Sequence, residues 1–307
     1  MDKEILIIQA IDILDRAGFC ISERCYIRPR SFDLIARRDD LLLLLKMLSN
    51  IDGLTERTAK GVRLLSRHLM GCPLLIGEKT RDQPLERGAV YYRYGVPTLS
   101  LRTLEDYLLA GAPPLVYAAH GGLYVRIDGR QLRELRLDKG ISLGALASEL
   151  GVSRRTVSKY ETESMDTSVD VALRLEEIFD QGLIQPVDLF MPPLTEDGPG
   201  QIMDNILQHL EGIGFKVFPT EQAPFNAITQ DERLVVLTGV SKFSSAMVKK
   251  ARLMSSLSEV TMTHSAVIVD GETKVERIEE TVLIKRREIE TMDEANEFSD
   301  LVMEKKE

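Results

Sequence analysis

GRQLRELRLDKGISLGALASELGVSRRTVSKYE, residues 129–161, decides how the rest of the 307-residue chain is read. Leu132 and Leu135 lie three apart and share one face of a first helix. Gly140 ends that helix, since glycine accepts the left-handed backbone of a C-terminal cap. Ser142 can cap a second helix through its side-chain oxygen. Leu143, Leu146, Ala147 and Leu150 give this second helix an apolar face. Gly151 and Val152 make a short turn, and Ser153 can cap a third helix over residues 154–160, with Val157 facing inward. Short helices joined by a glycine-containing turn of three or four residues form the helix-turn-helix signature. The small Ala147 stands where the second and third helices come closest.

The charge on the third helix suggests what it faces. Arg154 and Arg155 occupy its first turn, where positive charge opposes the helix dipole at a cost of about 0.3–1 kcal/mol. That cost makes sense if the turn faces an anion. In such motifs the N-terminal residues of the third helix reach base edges in the major groove of double-stranded DNA. Arginine bonds guanine in bidentate fashion, worth about 1–3 kcal/mol of discrimination. Ser158 and Lys159, one turn on, fit a base or a phosphate, and Ser153, Thr156 and Arg130 complete the candidate contacts. Arg126, Arg130, Arg133, Arg136 and Lys139 make the approach basic, and Ser142 can bring a helix N-terminus to a phosphate. The stretch resembles the Cro/C1-type, lambda-repressor-like helix-turn-helix, from residue 130 to about 190 if two further helices are included. The resemblance implies that the third helix is the reader, through Arg154, Arg155, Ser158 and Lys159. It does not extend to the glutamine that many members carry after the capping serine, where Leu143 stands here. A helix-turn-helix retained only for protein–protein contact is the competing reading.

A chain of this length suits two or three domains. Hydrophobic residues make up 44% and charged residues 28%, as in a soluble globular protein, and the absence of Trp leaves the core to Leu, Ile and Val. The net charge of −9 argues against a protein that coats nucleic acid nonspecifically, because positive charge is concentrated between residues 126 and 159. Cys20, Cys25 and Cys72 are too few and too scattered for a disulfide scaffold or a zinc site, so no metal or cofactor is expected. The start, MDKEILIIQAIDIL, does not read as a signal peptide, and LLLLLKML (41–48) is too short to span a membrane. The expected location is the cytoplasm.

Upstream, residues 1–125 read as an α/β domain with a mixed sheet. Ile5, Ile8, Ile11 and Leu14 mark an amphipathic helix ended by Gly18. Strands are expected near 19–26, 32–37, 41–48, 73–77 and 90–93, with helices over 55–70 and 101–109. The leucine run is apolar on both faces, as in a central buried strand. The order is similar to the restriction-endonuclease-like fold of Holliday-junction resolvases. That resemblance implies a metal-binding Asp on the second strand and a Glu-x-Lys on the third, with carboxylates holding Mg²⁺ and lysine orienting water. Asp33 and Lys46 match, but Leu44 stands where the second carboxylate belongs. Asp33 and Lys46 are therefore vestigial candidates in a noncatalytic copy, with an ordinary Asp33–Lys46 ion pair as the plain alternative.

Residues 126–192 form the helix-turn-helix unit, entered through a hairpin around His120-Gly121-Gly122. It includes a fourth helix over 169–179 and a short fifth over 187–190. A second linker is expected at 191–193 and 196–200. The first pattern then returns in residues 198–307. ILQHLEGIGFKVF (206–218) parallels AIDILDRAGFCIS (10–22), and Phe225-Asn226 parallels Phe32-Asp33. Asn226 replaces the Asp, and no carboxylate or lysine follows it on the next strand.

The expected architecture is thus two α/β restriction-endonuclease-like domains flanking an all-α reader. This order resembles a family of archaeal helix-turn-helix transcriptional regulators. It implies a transcriptional regulator, here read as sequence-specific and DNA-binding. The incomplete metal sets of both copies argue for a scaffold, for dimerisation or sensing, and against an enzyme, and readers of this kind usually pair across half-sites, so a homodimer is expected. A metal-dependent nuclease guided by the reader and an adaptor for the transcription machinery are the alternatives.

Overall fold

The computed structural model describes residues 2–191 and 200–306. The first unit contains α1 (Lys3–Arg16), β1 (Cys20–Ile21), β2 (Leu34–Arg38), β3 (Leu41–Asn50), α2 (Glu56–His68), β4 (Cys72–Lys79), β5 (Ala89–Arg93), β6 (Val96–Ser100) and α3 (Leu101–Ala110). Its strands lie in the order β1-β2-β3-β4-β6-β5. The first three are antiparallel, β3, β4 and β6 are parallel, and β5 returns antiparallel. Side chains on a strand alternate faces, which explains the leucine run. Leu43, Leu45 and Met47 pack under α1 and α3, whereas Leu42 and Leu44 join the core beneath α2. Helix α1 differs from expectation. Its buried stripe is Leu6, Ile7, Ala10, Ile13 and Leu14, while Ile5 and Ile8 are 47% and 64% exposed. Both stripes have helical spacing, and only the packed sheet selects between them.

Four short strands and two further helices surround the central helix-turn-helix pair. β7 (Val116–Ala119) and β8 (Gly122–Ile127) form the expected hairpin. Then come α4 (Gly129–Asp138), α5 (Leu143–Leu150), α6 (Arg154–Glu161), β9 (Thr167–Ser168), α7 (Val169–Phe179) and β10 (Ile184–Gln185). The hairpin does more than lead in: β7 pairs in parallel with β5, so one ten-stranded sheet runs from the first unit into the reader. The boundary expected after residue 125 falls inside β8. The short helix expected at 187–190 is absent. That segment is irregular, and Leu189 is buried in the core under α1 and α3 while the Phe190 ring stacks on Tyr107 at 5.0 Å. Apolar residues read as a helix face here anchor an extended return to the first unit. The linker expected at 191–193 and 196–200 lies outside the described residues except for Met191 and Gly200.

The last unit contains α8 (Asn205–Gly212), β11 (Lys216–Pro219), β12 (Ala227–Gln230), β13 (Val235–Lys242), α9 (Ser245–Thr261), β14 (His264–Asp270), β15 (Arg277–Ile278), β16 (Thr281–Lys285), α10 (Arg286–Glu290) and α11 (Ala295–Glu304). Its strand order, β11-β12-β13-β14-β16-β15, repeats the first sheet, and so does every strand direction. Gly18 and Gly214 both turn at positive φ before Phe19 and Phe215, which are both buried. Residues 286–290 form a separate short helix, and Met292 lies between it and the final one.

The two copies pack face to face. Ile35, Leu44, Val62 and Leu65 of the first share one core with Ile228, Leu237, Met254 and Leu257 of the second. The contact is reciprocal. At the end of α2, His68 stacks on Phe218 of β11, with ring centroids 3.5 Å apart. At the end of α9, the Val260 and Thr261 carbonyls accept from the Arg37 guanidinium on β2 at 2.7 and 3.1 Å. Main-chain bonds reinforce it, with Ser31 N donating to Gln222 O at 2.8 Å. Each copy thus lends its long helix to the other's sheet edge, a quasi-twofold pairing within one chain.

Candidate nucleic-acid interface

Three caps set the reader's geometry. Asp128 accepts from Gln131 N at 2.9 Å, Ser142 from Ala145 N at 3.0 Å and Ser153 from Thr156 N at 3.0 Å. Each satisfies an amide that a helix start would otherwise leave unpaired. The Ser153 and Thr156 hydroxyls also bond each other at 2.8 Å. Leu132, Leu146, Ala147, Leu150, Val157 and Tyr160 are buried together with Ala172, Leu175 and Phe179 of α7. Burying Val157 and Tyr160 turns the opposite side of α6 outward, so Arg154, Arg155 and Lys159 are exposed and Ser158 and Thr156 are half-buried. Among the described residues none of those three cations has an ion pair. Ser142 and Arg130 are also exposed.

The basic approach is smaller than the sequence suggests. Arg136 is buried, bonded to the Glu161 carboxylate (Nη2 to Oε2, 3.0 Å) and to the Ile141 carbonyl at 2.9 Å. It ties the end of α4 to the end of α6 and is no surface charge. Lys139 donates to the Ile178 carbonyl at 2.7 Å and sits over the Phe179 ring. Arg126 lies 3.9 Å from Asp166. Sequence reasoning missed Gly129, where an added Cβ would lie 2.3 Å from the Tyr160 carbonyl oxygen. The signal was there in a glycine directly after the capping Asp128, at the start of α4, where it lies against the end of α6.

The nuclease-like centre is closed. Asp33 is fully buried, and its carboxylate takes Arg30 Nε at 2.7 Å, Lys3 Nζ at 2.9 Å and Met47 N at 2.8 Å. Lys46 does not make the expected pair with Asp33; its Nζ donates to the Arg30 carbonyl at 2.7 Å. Burial pushes the Asp33 carboxyl up, but Lys46, Lys3 and the Met47 amide outweigh it and hold it below the usual value. Burial pulls Lys46 down to about 8, against the opposing influence of Asp33. Leu44 is buried where a second carboxylate would stand. Restriction-endonuclease-like folds imply a divalent cation, and these residues do not fit one: both carboxylate oxygens are engaged and the neighbours are cations. Among the described residues no group of three or more His, Cys, Asp or Glu is placed to hold a metal.

The second copy keeps the scaffold without the charge. Asn226 N donates to Thr238 O at 2.8 Å, as Asp33 N donates to Leu45 O at 2.7 Å. Asn226 Oδ1 accepts from Val240 N at 2.9 Å, as Asp33 accepts from Met47 N. By this register Leu237 corresponds to Leu44 and Gly239 to Lys46.

Comparison with known proteins agrees with this geometry. Residues 3–114 match a PD-(D/E)XK superfamily domain, and residues 132–183 match a helix-turn-helix. A protein of Methanococcoides burtonii named "Putative HTH-type transcriptional regulatory protein" is 49% identical over 99% of this chain and 98% of its own length. Proteins of the same description from Methanosarcina mazei and Natronomonas pharaonis are 48% and 45% identical, over 100% of this chain and 98% and 100% of their own lengths. The chain belongs to this family of archaeal HTH-type transcriptional regulatory proteins. No solved structure matches it. The chain thus joins a nuclease-like domain to a helix-turn-helix, and its strand order adds a second copy of that domain beyond the matched residues. Among the described residues of this HTH-type protein, no helix is long and apolar enough to cross a membrane.

Proposed function

We propose that the chain is a sequence-specific, DNA-binding transcriptional regulator that reads the major groove with α6. One observation carries this reading: Arg154, Arg155 and Lys159 are exposed and, among the described residues, without an ion pair on the outer side of a helix whose inner side is packed into a helix-turn-helix core. Arg154 and Arg155 take base edges, with Ser158 and Lys159 one turn further along. Ser142, Ser153, Thr156 and Arg130 hold phosphates beside them. Each chain carries one such reader, and readers of this kind pair across half-sites roughly 34 Å apart, so the working form is a homodimer in the cytoplasm. The reader and the two nuclease-like copies are separate functional units, with the reader joined to the first copy through the β7–β8 hairpin. Neither copy is an enzyme. The closed Asp33 centre and the neutral Asn226 centre support that part of the reading.

The test begins with a binding site selected from random duplex DNA. Arg155→Ala is expected to lower specific affinity by about 1–3 kcal/mol, roughly 5- to 150-fold in Kd, and to relax preference at one base pair. If Arg154→Ala and Arg155→Ala together leave binding unaltered, α6 is not the reader. Incubation of supercoiled and branched DNA with Mg²⁺ or Mn²⁺ tests the other half. Cleavage that disappears in Asp33→Ala would show that the first copy is a working nuclease.

A further inference from the structure

We propose that Lys3 is a built-in counter-ion whose ammonium stands in for the divalent cation of a nuclease-like centre. Lys3 Nζ lies 2.9 Å from one Asp33 carboxylate oxygen and 3.1 Å from the other, straddling the carboxylate as a bound cation would. Arg30 Nε takes the first oxygen again at 2.7 Å. The Asp33 side chain is fully buried and that of Lys3 is 30% exposed, so the ammonium caps the carboxylate from the solvent side.

The second copy supplies the control. Phe32-Asp33 and Phe225-Asn226 occupy the same place, and counting back from them puts Ala223 where Arg30 stands. Gly239 stands where Lys46 does. Where the carboxylate has become a neutral and exposed amide, the places of Arg30 and Lys46 carry no charge. Yet the amide oxygen still accepts the strand N–H, from Val240 at 2.9 Å. The main-chain bond therefore needs only an acceptor. The cations of the first copy serve the charge, because a buried carboxylate without a partner is costly. Lys3 is delivered by the first turn of α1, and the buried Leu6 and Ile7 lie about one turn further on. Glu4, beside it, is ion-paired with Arg24. The charge lock thus also fastens the start of α1 to the sheet. This assignment concerns metal and charge at Asp33 and is independent of whether α6 reads DNA.

Thermal unfolding and Mn²⁺ titration of the full chain, the latter followed by electron paramagnetic resonance, test it together. The wild-type protein is expected to show no shift in Tm with millimolar Mg²⁺ or Mn²⁺ and no bound Mn²⁺ signal. Lys3→Met should lower Tm by several degrees. Asp33→Asn should cost less in the Lys3→Met background than in the wild-type chain, because one cation fewer is then left without its anion. Lys3→Ala with Leu44→Glu should acquire a Mn²⁺ signal and a metal-dependent rise in Tm. Mn²⁺ bound by the wild-type chain and lost in Asp33→Asn would overturn the proposal. So would a Lys3→Met variant with unchanged Tm, or additive effects of Lys3→Met and Asp33→Asn. The wild-type titration decides the matter even where a variant fails to fold.

Discussion

In the first nuclease-like copy Asp33 lies among Lys3, Arg30 and Lys46; in the second, Asn226 makes the same strand hydrogen bonds beside Ala223 and Gly239. The sheets around them have the same strand order and the same directions. The comparison separates two roles that a carboxylate at this place can combine. One is structural, accepting the amide of the neighbouring strand, and either side chain fills it. The other is electrostatic, holding a cation, and only the first copy keeps it, with protein cations in place of a metal.

The sharpest way to break the comparison is to remove both side chains in turn. Asp33→Ala leaves buried cations without their anion and is expected to cost about 3–5 kcal/mol in urea unfolding. Asn226 is exposed, so in Asn226→Ala water can reach the Val240 amide and the cost should be no more than about 0.5–1.5 kcal/mol. Equal costs would mean that the two centres do the same work.

A smaller effect separates the copies by pH. Lys46 titrates near 8 in the folded chain against 10.5 ordinarily, so between these values the unfolded chain binds more protons and stability rises with pH. The slope has a ceiling of about 1.4 kcal/mol per pH unit in that window, and below pH 8 the gain is lost. Lys46→Met should remove this rise, and the second copy, with Gly239, contributes none. Urea midpoints measured from pH 7 to 10 for both proteins would show it.

The smallest effect concerns the rim where the copies meet. Arg57 and Glu221 pair at 2.8 Å, but both side chains are 69% exposed. Glu221→Ala should change stability by at most about 1 kcal/mol, and less at high salt. A larger loss would give the rim a share in holding the copies together that its solvent exposure argues against.

Much of this was legible in the sequence. The helix-turn-helix could be read because its caps and glycines are local, and local chemistry fixes short helices and turns. The repeat could be read because Gly18-Phe19 and Phe32-Asp33 have close counterparts at Gly214-Phe215 and Phe225-Asn226. What escaped depends on distant partners. Lys3 meets Asp33 across thirty residues, so its role appears only when α1 lies on the sheet. Arg136 looked like a surface cation because its partner Glu161 is twenty-five residues away. Ile5 and Ile8 were as plausible a core stripe as Leu6, Ile7 and Ala10 until the sheet chose between them. The apolar residues at 187–190 gave no sign that they return, in extended form, to the first unit.

The pairing of β5 with β7 has a consequence for how two readers would meet DNA. Because β7 continues into β8 and β8 leads into α4, main-chain hydrogen bonds run from the first nuclease-like copy to the threshold of the reader. The reader is mounted on paired strands, like the jaw of a calliper. In a homodimer the gap between two such jaws would be set by the stiff frame behind them. The tolerated separation of half-sites would then be a property of the frame, and an insertion between β5 and β7 would change the spacing of preferred operators before it changed their sequence.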